Sequence, residues 1–252
     1  MSGRPQSKKR AKRPNWGIDA PVVLRRMVVG GAISLVTGLG LLELEAFRET
    51  GWLQEFAGLA RGAGIGFLGA AAVMLWGSKV GKLRMRDRLL DSIPWHGNEH
   101  VLDVGCGHGL LLIAAAKRLT TGKAIGSDIW QDYDQANNSP EVPRENARIE
   151  GVADRVQVRD GDARELPFED GSFDVVLSSL ALHNIYDRGE REKAMREIAR
   201  VLAPGGWVAI MDIYRTREYR RILRECGLVD VKRSRPNLMF VVPTFMVTGR
   251  RS

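Results

Sequence analysis

The residues best placed to do chemistry form one short run, Asp103-Val104-Gly105-Cys106-Gly107-His108-Gly109. Glycines at alternate positions let a backbone bend sharply and approach a ligand, and the stretch from Leu110 would start a helix whose amino terminus points at it. The run departs from the dinucleotide pattern G-x-G-x-x-G, because Leu110 stands where the third glycine would be and Asp103 lies two residues before the first. A carboxylate there repels a pyrophosphate but accepts hydrogen bonds from the amino-acid end of a cationic ligand, directly or through water. His183 is the ionisable group just past the apolar run 173–178, so it is the candidate to face a second reactant. It would act there as a general base, or only as a lid residue if alignment suffices. Cys106 reads as a small residue between glycines. With Cys226 as the other cysteine and no C-x-x-C, neither a disulfide nor a metal site is expected.

These residues need a scaffold, and the alternation of short apolar runs with helical stretches supplies one. His100–Val104 and Lys123–Ser127 read as strands around a helix Leu110–Leu119, followed by strands Val156–Arg159 and Phe173–Ser178. A helix Arg188–Leu202, the turn Pro204-Gly205-Gly206 and a strand Trp207–Ile213 come next. A helix Thr216–Cys226 and strands Val229–Lys232 and Thr244–Thr248 close the series. Such a β/α alternation predicts an α/β fold, a mostly parallel sheet with helices on both faces and a ligand at the carboxyl ends of the strands.

From about Leu83 to Arg250 the chain resembles the class I methyltransferases that use S-adenosylmethionine, in particular their ubiquinone-biosynthesis-like small-molecule branch. Val101 to Gly109 resembles motif I. Gly126-Ser127-Asp128-Ile129 resembles the second strand's end, whose acid holds the ribose hydroxyls. Gly161-Asp162-Ala163, with Leu166-Pro167-Phe168 and Phe173-Asp174-Val175-Val176 after it, resembles the adenine-binding segment and fourth strand. Arg200-Val201-Leu202-Ala203-Pro204-Gly205-Gly206 is similar to the turn into the fifth strand. The resemblance implies a Rossmann-like seven-stranded sheet and S-adenosylmethionine as cofactor. It implies cofactor contacts from Asp103, Gly105, Cys106, Gly107, Gly109, Asp128, Ile129, Asp162, Ala163 and Ser178. An acid at Asp128 would equally suit a nicotinamide-dependent oxidoreductase, and Asp162 would equally cap a turn. A non-catalytic binding module on the same fold is the further alternative. A D-P-P-Y-type tetrapeptide after the fourth strand and a Pro-Cys nucleophile are both absent, which argues against a nucleic-acid substrate.

The segment 130–140 departs from that pattern with a polar, aromatic-bearing loop. Trp130 and Tyr133 there would cover the cofactor or shape the acceptor pocket, or simply pack beneath the loop; Ser139 reads as an N-cap before Pro140.

Charge locates the rest. Residues 1–26 carry eight basic groups and one acid, 43–61 two basic and four acidic, and 79–88 five basic and one acidic. From Leu89 to Ser252 there are 23 basic and 24 acidic groups, so the chain's +8 belongs to its first third. Between the clusters lie two uncharged runs, Met27–Leu42 and Gly62–Ser78, apolar all round, with small residues every four positions at Gly30, Ser34, Gly38 and at Gly62, Gly66, Ala70. A soluble helix shows a polar face; these do not. They read as a two-helix transmembrane hairpin, with help from flanking Arg25, Arg26 and Arg61. The positive-inside rule then puts both termini and the catalytic domain on the cytoplasmic side. The organisation expected is a basic disordered tail (1–21), a membrane anchor (22–78) and a methyltransferase domain (79–252) entered through a surface helix Lys79–Ser92. The function expected is methyl transfer to a small or lipid-soluble acceptor, with a membrane but no nucleic acid as partner.

Overall fold

A computed structural model describes residues 12–17, 20–43, 50–131, 138–238 and 242–252. Most of the tail, the middle of the expected external turn and Tyr133 lie outside the described residues. Two long helices come first, α1 (Pro21–Glu43) and α2 (Gly51–Trp76). Through a π-helical turn at Gly77–Gly81, α2 continues into α3 (Lys82–Leu90). Then follow β1 (His100–Val104), α4 (Leu110–Ala116), β2 (Lys123–Asp128), α5 (Glu141–Ile149), β3 (Val156–Asp160) and β4 (Phe173–Ser179). A 3-10 turn at Leu182–Asn184, α6 (Arg188–Val201), β5 (Leu202–Asp212), α7 (Thr216–Glu225), β6 (Leu228–Arg233) and β7 (Phe245–Arg251) complete it.

The seven strands form one sheet in the order β3-β2-β1-β4-β5-β7-β6, parallel except for β7, which runs antiparallel to both β5 and β6. Apolar side chains of α3, α4 and α5, including Met85, Leu89, Leu112 and Ala147, cover one face. Those of α6 and α7, including Ile198, Tyr219 and Ile222, cover the other. Because both faces are covered, β1 and β4 read as near-continuous apolar runs rather than as alternation. The strand order reverses between β1 and β4, and that switch point leaves a crevice beyond their carboxyl ends.

Three expectations need correction. Pro204-Gly205-Gly206 is not a turn before β5. The strand starts at Leu202, pairs with Phe173 and slips register before Val175 pairs with Trp207, so β5 carries three extra residues in an irregular bulge around Gly205, whose φ is +79°. Ser139 does not cap α5; Pro140 occupies the cap position with no side-chain cap bond. The helix over 79–92 is not separate, since it continues α2; Leu90 and Ile93 are buried as a core-facing side requires, and Lys82, Met85 and Leu89 are buried with them.

Of the small residues expected to line the contact within the helical hairpin, Gly38 does so, whereas Gly30, Gly62 and Gly66 do not. Gly31 and Gly38 of α1 face Ala57, Gly64 and Ala71 of α2, at spacings of seven rather than four. A Cβ added at Gly64 would lie 2.7 Å from the backbone nitrogen of Leu35, while Gly30, Gly62 and Gly66 have open space. The outward face carries exposed Val29, Ile33, Val36, Leu59, Ile65 and Phe67. Both helices are long and apolar enough to cross a membrane, and only 11% of each apolar window is buried.

Candidate functional site

At the switch point lies a cavity of about 350 Å³, lined by the loop after β1, the end of β2, Gly161–Arg164 and the segment 179–187. That volume suits a cofactor-sized ligand. Of the residues singled out in the sequence, Asp103, Gly105, Cys106, Gly107, Asp128, Ile129, Asp162 and Ala163 line it together. Gly109, Ser178 and His183 do not. Gly109 supports the loop from behind with φ +81°, and Ser178 is buried beneath the wall while its neighbour Ser179 reaches the cavity. Gly105 adopts φ +72°, and a Cβ there would run into Ala181, so the residue type is dictated twice.

Asp103 sits at the floor, 1% exposed. Its Oδ2 accepts from the backbone N–H of Leu112 at 2.9 Å, and its buried Oδ1 has no hydrogen-bond partner. Burial pushes this carboxyl up to about 7, the Leu112 N–H works against that, and the charge of Asp128 adds to it. An unpaired buried acceptor facing a cavity calls for a donor from a ligand. Burial likewise raises the Cys106 thiol, which disfavours its thiolate form.

Asp128 ends β2 and fixes the loop. It accepts from the N–H of Gly107 at 2.8 Å on Oδ2, and on Oδ1 from the N–H of Trp130 at 2.8 Å and the amide of Asn138 at 3.3 Å. A carboxylate has about four lone-pair directions, so capacity remains for a ligand hydroxyl. Asp162 is engaged in a way the sequence did not disclose. The Arg164 guanidinium chelates it, with Nε 2.9 Å from both oxygens, and holds its carboxyl below the usual range. Trp130 packs on the core with its indole N–H on Asp160 at 2.7 Å and is not part of the cavity wall. The packing alternative therefore holds for it.

His183 lies just past β4 as expected, but turned away from the wall. Its Nδ1 lies 2.6 Å from Asp212 Oδ1. Asp212, fully buried at the end of β5, also accepts from the His183 backbone N–H at 3.0 Å and the Tyr219 hydroxyl at 3.1 Å. The adjoining wall is braced by buried Arg191, which grips Glu218 with two bonds of 3.1 and 3.0 Å and donates to the carbonyl of Ile185 at 2.7 Å.

A functional element missed in the sequence is the stretch Asn15-Trp16-Gly17. It was expected to be disordered, yet it straps the cavity, and Trp16 forms part of the lining. Three buried polar side chains hold it. Asn146 exchanges bonds with the N–H and carbonyl of Asn15, both 2.8 Å; His108 Nδ1 lies 3.1 Å from that carbonyl; Lys82 donates to the carbonyls of Trp16 and Gly17, both at 2.7 Å. Two signals were available: a lone Trp in an otherwise polar tail, and Lys82 on the same helical face as Met85 and Leu89.

Comparison with known proteins agrees with this geometry. Residues 102–210, less than half of the chain, match the family model described as a methyltransferase domain. Methyltransferase GfsG of Streptomyces halstedii is 37% identical over 131 residues, which cover 52% of this chain and 43% of the relative. A demethylmenaquinone methyltransferase of Lactiplantibacillus plantarum is 35% identical over 130 residues, half of each chain. The chain thus spans about half the length of the curated relatives it matches. Among solved structures, the cyclase SpnF superposes with a TM-score of 0.56 at 18% identity, covering 69% of this chain and 82% of that one, a likeness of fold alone. The matched segment is a class I methyltransferase domain, related to those of menaquinone methyltransferases, and S-adenosylmethionine is its cofactor. The nicotinamide alternative finds no support.

Proposed function

We propose that this chain moves a methyl group from S-adenosylmethionine to a small, lipid-soluble acceptor at the cytoplasmic face of a membrane. It would span that membrane with α1 and α2. The observation that carries the enzymatic part is the partnerless Oδ1 of Asp103 at the floor of the switch-point cavity. A ligand ammonium there satisfies an acceptor that nothing in the protein reaches. In this reading Asp128 accepts from ribose hydroxyls, Asp162 and Ala163 border the adenine, and the turn Gly105–Gly109 lets the backbone approach closely.

The cofactor supplies an electrophilic methyl on a sulfonium. The chain's part is alignment, with the strap and the 179–187 wall excluding water and fixing the approach line, an effect worth several powers of ten in rate. For an acceptor that must lose a proton and that extends past the cavity wall to His183, this histidine is the proposed base, with Asp212 orienting the imidazole and stabilising its charged form. The membrane part is supported by the apolar outward face of the hairpin and by the basic clusters that bracket it. The domain limits 1–21, 22–78 and 79–252 belong to the same proposal, with the strap moving Asn15–Gly17 functionally to the third unit.

The test is a titration of the detergent-solubilised full chain with S-adenosylhomocysteine and, separately, with NAD. Binding of the first without the second is expected. Binding of NAD alone contradicts the proposal, and binding of neither turns the reading to a non-catalytic module.

A further inference from the structure

The near neutrality of residues 89–252 conceals a strong separation of charge. Residues 89–211 hold 13 basic and 20 acidic groups, whereas 212–252 hold 10 basic and 4 acidic. The basic excess of the last stretch gathers where α7 meets β6. Arg233 lies 3.6 Å over the ring of Phe245 and donates to Thr216 Oγ1 at 2.8 Å. Burial, then the neighbouring guanidinium groups of Arg217 and Arg220, lower its pKa. Several arginines elsewhere are matched with acids, as in Arg164–Asp162, Arg191–Glu218 and Arg200–Glu197. Among the described residues, Arg215, Arg217, Arg220 and Arg235 touch no carboxylate.

The sheet register places this cluster. Asp212 pairs with Phe245 and Asn237 bridges to Thr244, so residues 214–217, 235–238 and 242–244 lie past the same sheet edge as the cavity. At that edge Tyr214, Leu238 and Val242 are 58%, 73% and 37% exposed. The Tyr214 ring is 6.3 Å from that of His183, and Tyr186, 82% exposed, belongs to the cavity lining. The hairpin leaves from this edge too, since Trp16, before α1, and Lys82, after α2, both line the cavity.

We propose that this edge is a docking face for an anionic lipid surface, so that the cavity mouth opens onto the bilayer and the acceptor enters from the membrane. The proposal rests on the membrane reading given above and adds which face of the domain meets the lipid. Unpaired guanidinium groups select phosphate-bearing headgroups, and exposed apolar side chains beside them insert where the headgroups meet the acyl chains. Nucleic acid would also answer the arginines. It would not answer Leu238 and Val242, nor a hairpin rooted at the same edge.

The test places the full chain, carrying Cys226→Ser and Leu238→Cys labelled with an environment-sensitive fluorophore, in nanodiscs of phosphatidylcholine with or without phosphatidylglycerol. A blue shift is expected with phosphatidylglycerol and not without it. It should vanish in the triple variant R217Q/R220Q/R235Q while S-adenosylhomocysteine affinity stays unchanged. The proposal is overturned if emission is the same in both discs, if the triple variant keeps the shift, or if a nucleic-acid duplex produces it in neutral discs. Failure of the unsubstituted chain to bind S-adenosylhomocysteine would instead refute the enzymatic reading, whatever the fluorophore reports.

Discussion

Asp103 is under opposed demands. Its burial favours the protonated acid and raises it to about 7, whereas a cationic ligand end favours the carboxylate. Since the native value exceeds the ordinary carboxylate value of 3.8, the native state keeps a proton that the unfolded chain loses between those two values. This group's contribution to stability is therefore full below about pH 4 and is lost as pH rises through about 7. Ligand binding has the opposite sign, because the ionised form accepts from the ammonium and a proton must leave. S-Adenosylhomocysteine affinity should rise with pH, by up to about tenfold per unit, and level off above about pH 7. Calorimetry in two buffers of different ionisation enthalpy reads the released proton. Asp103→Asn should flatten that slope and weaken binding about ten- to a hundredfold, the range for a hydrogen bond to a charged group; an unchanged slope would remove Asp103 from the ligand contact. Asp103, Asp128 and Asp162 were legible in the sequence because each stands at a fixed offset from its own glycine. Asp212 beside His183 was not, because the two lie 29 residues apart and meet only when β4 and β5 pair.

At the scale of elements, strand identity was legible and helix orientation was not. Apolar runs of five to seven residues bounded by turn residues mark strands buried on both faces, and β1 has the bounds read from the sequence. On a helix, neighbouring residues are about 100° apart, so a stripe through Gly30 and one through Gly31 are equally good as patterns. Only the partner decides, and it selects Gly31, Gly38 and Gly64. Gly64→Leu should therefore lower the thermal midpoint of the full chain in micelles, in line with an overpacking cost of about 1–3 kcal/mol. Gly66→Leu, with open space, should leave it unchanged. The strap was hidden for another reason. Its composition, basic and broken by prolines, is that of a disordered segment, and its three anchors come from α3, the loop after β1 and α5. Asn146→Ala removes the reciprocal amide pair with Asn15, a loss of about 1–3 kcal/mol. Cleavage by trypsin after Lys12 should accelerate about tenfold or more, and S-adenosylhomocysteine should protect the unsubstituted chain more than the variant. Equal cleavage rates would mean that the strap is not held.

For the whole molecule, charge has to be read by location. Most basic groups of the first third flank the hairpin, whereas Arg48 and Arg61 fall within it and Lys82 turns inward to hold the strap. The last stretch carries a second basic region that the sum over the catalytic domain conceals, because an acidic stretch before it cancels the total. Hairpin, cavity and exposed apolar residues share one edge of the sheet, and that coincidence is the ground for proposing an acceptor that partitions into lipid. The most direct measurement gives methyl-labelled S-adenosylmethionine to membranes containing the full chain, then separates solvent-extractable lipid from water-soluble products. The account predicts label in the lipid extract, abolished by Asp103→Asn. Label confined to water-soluble products, or no transfer to any membrane component, would contradict it.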